Sequence, residues 1–170
     1  MLDMFTECLL ARKKSGKDKL VRLPFILAGL VATLLFLMYL AGTLLSGVGL
    51  AAVVMVWWWA YIQITNRNLE FEYTVTNGDV DIDVIKGKRK RERIASIRPK
   101  DIEMVAPVEM LGDAKYTAEV DASAHDDRYD VYFILADVKG VKTKILVNPS
   151  KKMLDILKKY KGEKVIIGEE

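Results

Sequence analysis

The stretch LEFEYTVTNGDVDIDV, residues 69–84, decides what kind of domain this chain carries. Leu69, Phe71, Tyr73 and Val75 alternate with Glu70, Glu72, Thr74 and Thr76, and beyond Asn77-Gly78 the residues Val80, Ile82 and Val84 alternate with Asp79, Asp81 and Asp83. A period of two puts one set on each face of a strand. Asn-Gly is the dipeptide that a two-residue type I′ turn prefers, because both central positions need positive φ. The stretch therefore predicts a β-hairpin with an apolar face and an acidic one. A two-residue loop sets Glu72 opposite Asp83, an unfavourable like-charge pair. If the next loop has three residues, Asp83 faces Arg93 across the ladder, and Arg93 and Arg91 neutralise the acidic face.

Working towards the C-terminus, Arg91 to Ile97 reads as a third strand. Arg98-Pro99-Lys100-Asp101 makes a turn into a fourth, Ile102 to Val108. Tyr116 to Ala122 and Tyr129 to Ala136 read as the fifth and sixth. Lys139-Gly140 then turns the chain into the seventh, Val141 to Val147. Asn148-Pro149 is read as the cap of a helix with Met153, Leu154, Leu157 and Tyr160 on its apolar side, ended by Gly162. Val165-Ile166-Ile167 reads as a short extension packing back. The fold class is α+β: four strands, three strands and a closing helix.

Working towards the N-terminus, no Asp, Glu, Lys or Arg occurs from Leu23 to Ile64. A helix needs roughly 20 apolar residues to cross a ~30 Å hydrocarbon core, so this run has the length of two spans. The first is placed at Pro24 to about Leu40 and the second at about Val48 to Ile64, joined by a short uncharged turn. Trp57, Trp58, Trp59 and Tyr61 are read as amphipathic rings at the headgroup level. Arg12, Lys13, Lys14, Lys17, Lys19 and Arg22 precede the first span and the turn has no basic residue. By the positive-inside rule the protein is a multi-pass protein of the cell membrane with both termini cytoplasmic. A cleaved signal peptide fits less well, since a second span follows almost at once. Small pairs such as Gly29 with Thr33, and Gly47 with Ala51, allow close helix contact.

Two readings stand open for the first dozen residues: a helix lying in the lipid interface, with Leu2, Phe5 and Leu9 on one face, or a frayed tail. The chain thus divides into a basic N-terminal segment (1–22), a two-helix transmembrane hairpin (23–64) and a cytoplasmic β-rich domain (65–170). Its one cysteine, Cys8, permits no internal disulfide.

The order of elements and the stretch LEFEYTVTNGDVDIDVIKGKRKRERIASIRPKDIEMVAPV resemble bacterial pleckstrin-homology (PH) domains, over about residues 66 to 161. The resemblance implies a seven-stranded PH-like barrel or sandwich with a C-terminal helix, in a small bacterial two-span membrane protein. It implies no single activity. Members of the wider fold that bind phosphoinositides use a basic loop between the first two strands of the domain, whereas here that loop is Thr76-Asn77-Gly78-Asp79. The familiar headgroup pocket is therefore not expected.

Basic residues gather instead at Lys86, Lys88, Arg89, Lys90, Arg91 and Arg93, with Glu92 opposing them. The first strand of the hairpin begins about four residues after the second span and the next strand returns. Chain direction therefore points the turn after it towards the membrane. Lys86, Lys88, Arg89 and Lys90 have no obvious partners in sequence. Contact with anionic lipid, a solvated hairpin tip and a protein contact are the three readings, the first favoured.

No Cys/His cluster has metal-ligand spacing, and no phosphate-binding glycine loop is present, so neither metal nor cofactor is expected. The single histidine, His125, sits in Ser123-Ala124-His125-Asp126-Asp127 with nothing marking a nucleophile. Between Leu23 and Ile64 the ionisable side chains are those of Tyr39 and Tyr61, which argues against transport by this chain alone. Nucleic-acid binding is disfavoured, because no aromatic platform flanks the basic cluster. The expectation is a non-enzymatic interaction module at the inner leaflet. The alternative is an accessory subunit gripping a membrane-protein partner, or a homo-oligomer.

Overall fold

A computed structural model describes residues 4–112 and 115–168. The chain divides into two compact units, Met1–Lys13 with Leu69–Glu170, and Lys14–Asn68. The first unit is interrupted in sequence by the whole of the second.

The first unit is built of strands β1 (Phe5–Ala11), β2 (Leu69–Thr76), β3 (Asp79–Lys86), β4 (Lys90–Ile97), β5 (Ile102–Pro107), β6 (Ala118–Asp121), β7 (Tyr132–Val138) and β8 (Val141–Val147). One sheet has the order β1-β2-β3-β4 and the other β5-β7-β8-β6. All pairings are antiparallel except β6 with β8. The hairpin forms as its pattern requires: Thr76 pairs with Asp79, and Asn77 and Gly78 have φ of 52° and 89°. Tyr73, Val75, Val80 and Ile82 are fully buried, in one core with Ile134, Ile145 and Val147 of the second sheet. Tyr73 takes its hydroxyl into that core and donates it to the Ala122 carbonyl at 2.5 Å.

Three expectations are corrected here. Residues 5–11 are neither an interfacial helix nor a frayed tail, because Phe5–Ala11 pairs along its length with β2. Leu2, placed on the expected helical face, lies outside the described residues. Spacing of four between Phe5 and Leu9 suits a helix, but alternation of outward Phe5, Glu7 and Leu9 with inward Thr6, Cys8 and Leu10 suits a strand equally. The choice falls to a partner far along the chain: Met4 N–H donates to Asn77 Oδ1 at 3.1 Å, 73 residues away. Among the described residues the strands therefore number eight, not seven. The expected fourth strand belongs to the second sheet, and β1 takes the place it left in the first.

Helix α3 (Lys151–Lys161) buries Met153, Leu154, Ile156 and Leu157. Its cap is Ser150, whose Oγ accepts the Met153 N–H at 3.3 Å, and not Asn148. Asn148 is spent elsewhere. Its Oδ1 accepts the Ala124 N–H at 2.6 Å and its Nδ2 donates to the Asp130 carbonyl at 2.8 Å, which pins the 122–130 loop. Tyr160 lies mostly outside the buried stripe. Gly162 ends the helix with φ 59°, and Val165 then bridges Val105 in parallel, so the tail packs back as expected.

The second unit is a pair of helices, α1 (Gly16–Leu35), running on as a π-helix over Phe36–Leu40, and α2 (Ser46–Thr65). Both are long and apolar enough to cross a membrane. The first starts well before Pro24, because Ser15 and Asp18 close its first turn: the Ser15 N–H donates to Asp18 Oδ2 at 2.9 Å. Pro24 is inside the helix. Gly29 works inside the pair, as the seat of the Trp57 indole: a Cβ there would lie 2.7 Å from the ring. Trp57 Nε1 donates to Thr33 Oγ1 at 3.1 Å, and Phe25 meets Trp59 edge to face with centroids 5.3 Å apart. Trp57 is therefore a helix-packing residue, while Trp58, 64% exposed, and Tyr61, 60% exposed, point outward.

Candidate functional site: the basic β3–β4 turn

The turn has three residues, Gly87, Lys88 and Arg89, as the expected pairing of Asp83 with Arg93 requires. Gly87 and Lys88 adopt φ of 60° and 57°, and the Arg89 N–H closes the turn on the Lys86 carbonyl at 3.1 Å. A side chain in the left-handed region is unusual outside Gly and Asn, so Lys88 is held there by the ladder on either side.

Below the turn the acidic face is neutralised across the strands. Asp83, 3% exposed, accepts from Arg91 Nε at 2.7 Å and from Arg93 Nε. Arg91 reaches Glu72 at 2.6 Å and Arg93 reaches Asp81 at 2.6 Å. The hydrogen bonds to Asp83 are the largest influence on both guanidinium groups, and they push both pKa values up. This arrangement resolves the like-charge pairing of Glu72 with Asp83: two arginines bridge the carboxylates that would otherwise repel.

At the turn itself the structure differs from the reading of unpartnered cations. Lys86 Nζ lies 2.5 Å from Glu92 Oε2 and Lys90 Nζ 2.7 Å from Glu92 Oε1. These hydrogen bonds, that from Lys86 first, hold the Glu92 carboxyl down at about 2. Lys88 approaches Glu70 at 3.8 Å. A single Glu92, between Arg91 and Arg93, stands out in the sequence, but which cations it would clasp depended on side-chain direction at the end of the ladder. Lys88 and Lys90 keep most of their surface, 82% and 72% of the side chain.

Register places this turn at a particular end of the first sheet. Leu69 pairs with Lys86, Lys86 with Lys90, and Ala11 with Glu70. The chain leaves β1 for the helical pair, and returns from it into β2, at the end that carries the turn. The 122–128 loop meets the same end of β1, since the Lys13 N–H donates to the Ala124 carbonyl at 2.7 Å and Lys13 Nζ pairs with Asp127 at 3.0 Å.

A model of the bacterial PH-like domain (DUF6106) matches residues 2–167. The chain belongs to that family. No curated protein and no solved structure matches it. The PH-like match runs wider than the resemblance over 66–161 and takes in β1 and both helices. PH-like domains are in general non-catalytic interaction modules. His125 lies in the 122–128 loop. Its Nε2 lies 2.9 Å from Asp121 Oδ2, while the Ser123 hydroxyl donates to Asp121 Oδ1 at 2.7 Å. Serine and histidine thus both address the carboxylate, and the hydroxyl proton that a base would have to take is committed to Asp121. Among the described residues no group of three or more His, Cys, Asp or Glu could hold a metal ion.

Sequence reading of this PH-like domain missed a second basic surface. With Met153, Leu154, Ile156 and Leu157 turned inward, α3 exposes Lys152, Lys158 and Lys159. None of these three has an ion-pair partner among the described residues. Helical periodicity alone could have found them, because lysine pairs stand on both sides of the apolar positions 153–157 in KKMLDILKKYK.

Proposed function

We propose that this chain is a non-enzymatic membrane protein whose helical pair spans the bilayer and whose PH-like domain is an interaction module at the inner leaflet, with Lys86, Lys88, Arg89 and Lys90 contacting anionic lipid. One observation carries the reading: both connections to the helical pair leave the first sheet at the end that bears the β3–β4 turn. Each basic residue near an anionic surface contributes about 1 kcal/mol. The ion pairs to Glu92 and Glu70 reduce that sum, yet exposed pairs are worth only about 0–1 kcal/mol and exchange readily for lipid phosphate. Since the helices provide localisation, the attraction orients the domain more than it recruits it. Six basic residues before Leu23 support cytoplasmic termini.

The test uses the full chain in nanodiscs, with Cys8→Ser and a polarity-sensitive dye on Lys88→Cys. Emission should shift blue in anionic discs relative to neutral ones, and the shift should fade as salt shortens the Debye length below ~8 Å. Identical emission in both lipids, or a shift indifferent to salt, would sink the lipid reading. Orientation is checked by cysteine labelling at Thr43 and His125 in intact cells, where labelling at 43 and protection at 125 is expected. A protein partner is the second reading, and the outer edge of β1 favours it.

A further inference from the structure

A β-sheet edge presents unpaired N–H and C=O groups, and natural proteins shorten, charge, bulge or cover such edges. Three of the four edges here are treated so. The β5 edge is covered by Val165 and Ile166, whose N–H donates to the Val105 carbonyl at 2.8 Å. β6 is four residues long and carries Glu119 and Asp121. β4 carries Lys90, Arg91 and Arg93, and its pairing with β3 is broken by a register shift.

Among the described residues the β1 edge is the least protected, with a single charge as its one device. It runs for seven residues, FTECLLA, with one charge, no proline and no register shift. Its polarity can be read from two bonds to the neighbouring chain: the Asn77 N–H donates to the Met4 carbonyl and the Arg12 N–H to the Leu69 carbonyl, each at 2.9 Å. Antiparallel bonding alternates, so even-numbered residues address β2 while Phe5, Glu7, Leu9 and Ala11 turn their amides and carbonyls outward. Among the described residues, the backbone bond that continues this outer edge is made by Lys13, beyond the strand's end. The side chains of Phe5 and Leu9, 51% and 54% exposed, stand beside it.

At the start of β1 the edge opens into a groove of about 340 Å³ between the strand and α3, lined by Met4, Phe5, Lys152, Asp155, Ile156 and Lys159. Its floor is apolar and its rim carries two lysines against one carboxylate, Asp155, and neither lysine is ion-paired among the described residues. Lys159 Nζ instead sits 3.8 Å from Met4 Sδ.

We propose that the outer edge of β1, with the groove beside α3, is a docking site for an extended acidic segment of a partner protein, which adds to the first sheet as a further strand. Main-chain hydrogen bonds to Phe5, Glu7, Leu9 and Ala11 supply the pairing. An apolar side chain enters the groove over Ile156, and carboxylates meet Lys152 and Lys159. This surface is separate from the β3–β4 turn and stands whether or not that turn contacts lipid.

The probe is a labelled heptapeptide of alternating valine and glutamate, offered to the full chain in nanodiscs of neutral lipid and compared with its valine–lysine counterpart. Saturable binding of the acidic peptide only is expected, weakened at least tenfold by Lys152→Glu with Lys159→Glu. Glu7→Pro should abolish it with the melting temperature unchanged, because the lost N–H faces outward and the bonds to β2 remain. That variant also removes a repelling carboxylate, so charge alone predicts the opposite. Should Glu7→Pro fail to fold, an acidic peptide N-methylated on alternate amides decides on unmodified protein: one of the two methylation registers must lose binding. Equal binding of both peptides, no binding of either, or binding indifferent to Glu7→Pro and to both methylation registers overturns the proposal. A chain that is dimeric in detergent and becomes monomeric with Glu7→Pro overturns it as well, by giving the edge to a second copy.

Discussion

The two units handle apolar surface in opposite ways. In the helical pair, Leu30, Leu34, Leu37, Met38, Val48, Val54 and Met55 all face outward, and the buried positions are small ones, Gly29, Gly49 and Ala60. In the sheet unit, Tyr73, Phe133, Ile82 and Leu157 are sealed away and charges coat the outside. On the proposed reading, the difference lies in the solvent each unit meets. A helix pair in hydrocarbon gains nothing by hiding leucine and packs through small residues instead, as Gly29 does beneath Trp57. A water-exposed sandwich must bury its apolar residues to fold at all. One chain thus carries two folding problems, and β1 is made before the helices yet belongs to the unit completed after them.

That last point gives the largest expected effect. Joining Met1–Lys13 to Leu69–Glu170 through an Asn-Gly turn, with residues 14–68 removed, should yield a soluble β-dominated monomer that melts cooperatively. Residues 66–170 alone lack β1, uncover the core flank of Tyr73 and should aggregate or lose cooperative melting. If the two fragments melt alike, β1 is an accessory and the division into two units needs redrawing. Leu157→Asp should abolish the transition in the joined fragment, because it forces a charge into the closed core. Leu157→Ala should cost about 2–5 kcal/mol by chemical denaturation.

Gly29→Leu tests the other unit, where a Cβ alone already meets the Trp57 ring. Overpacking of this kind costs about 1–3 kcal/mol. The expected outcome is a red shift and broadening of tryptophan emission in detergent, with the sheet unit's melting unchanged. A simultaneous loss of β signal would show the units to be energetically one.

The smallest effect concerns the turn. Glu92 is held at about 2 by Lys86 and Lys90, against an ordinary value of 4.5. A depressed carboxyl contributes stability above its unfolded value, and that contribution is lost as pH falls from 4.5 towards 2. Glu92→Gln should remove this slope and lower stability at pH 7 only slightly, because solvent screens an exposed pair. It should also strengthen attraction to anionic vesicles, having freed two lysines; weaker attraction would show that Glu92 positions the lysines instead of offsetting them.

Legibility followed the range of the interaction. The hairpin at 69–84, its turn type, the Asp83–Arg93 pairing and the closing helix were readable because each rests on neighbours or on a period of two or 3.6. The Asp83–Arg93 pairing was conditional on a three-residue β3–β4 loop, a length that the structure supplied. At the candidate site, residue identities were readable and their partners were not: Glu92 could have met any of several lysines, and strand-end geometry chose Lys86 and Lys90. Asn148 looked like a cap, since Asn favours that role, but a loop two dozen residues upstream claimed its side chain first.

By itself the sequence determined two apolar helices, seven of the eight strands, the apolar face of α3 and the acid–base composition of the first sheet, all properties of local pattern. Tertiary structure alone decided that Phe5–Ala11 is a strand, that the helical pair is an insertion within the sheet unit, and that Trp57 faces Gly29. Each of these depends on a partner distant along the chain, and a pattern of seven residues that suits helix and strand alike is settled by whichever partner offers it hydrogen bonds.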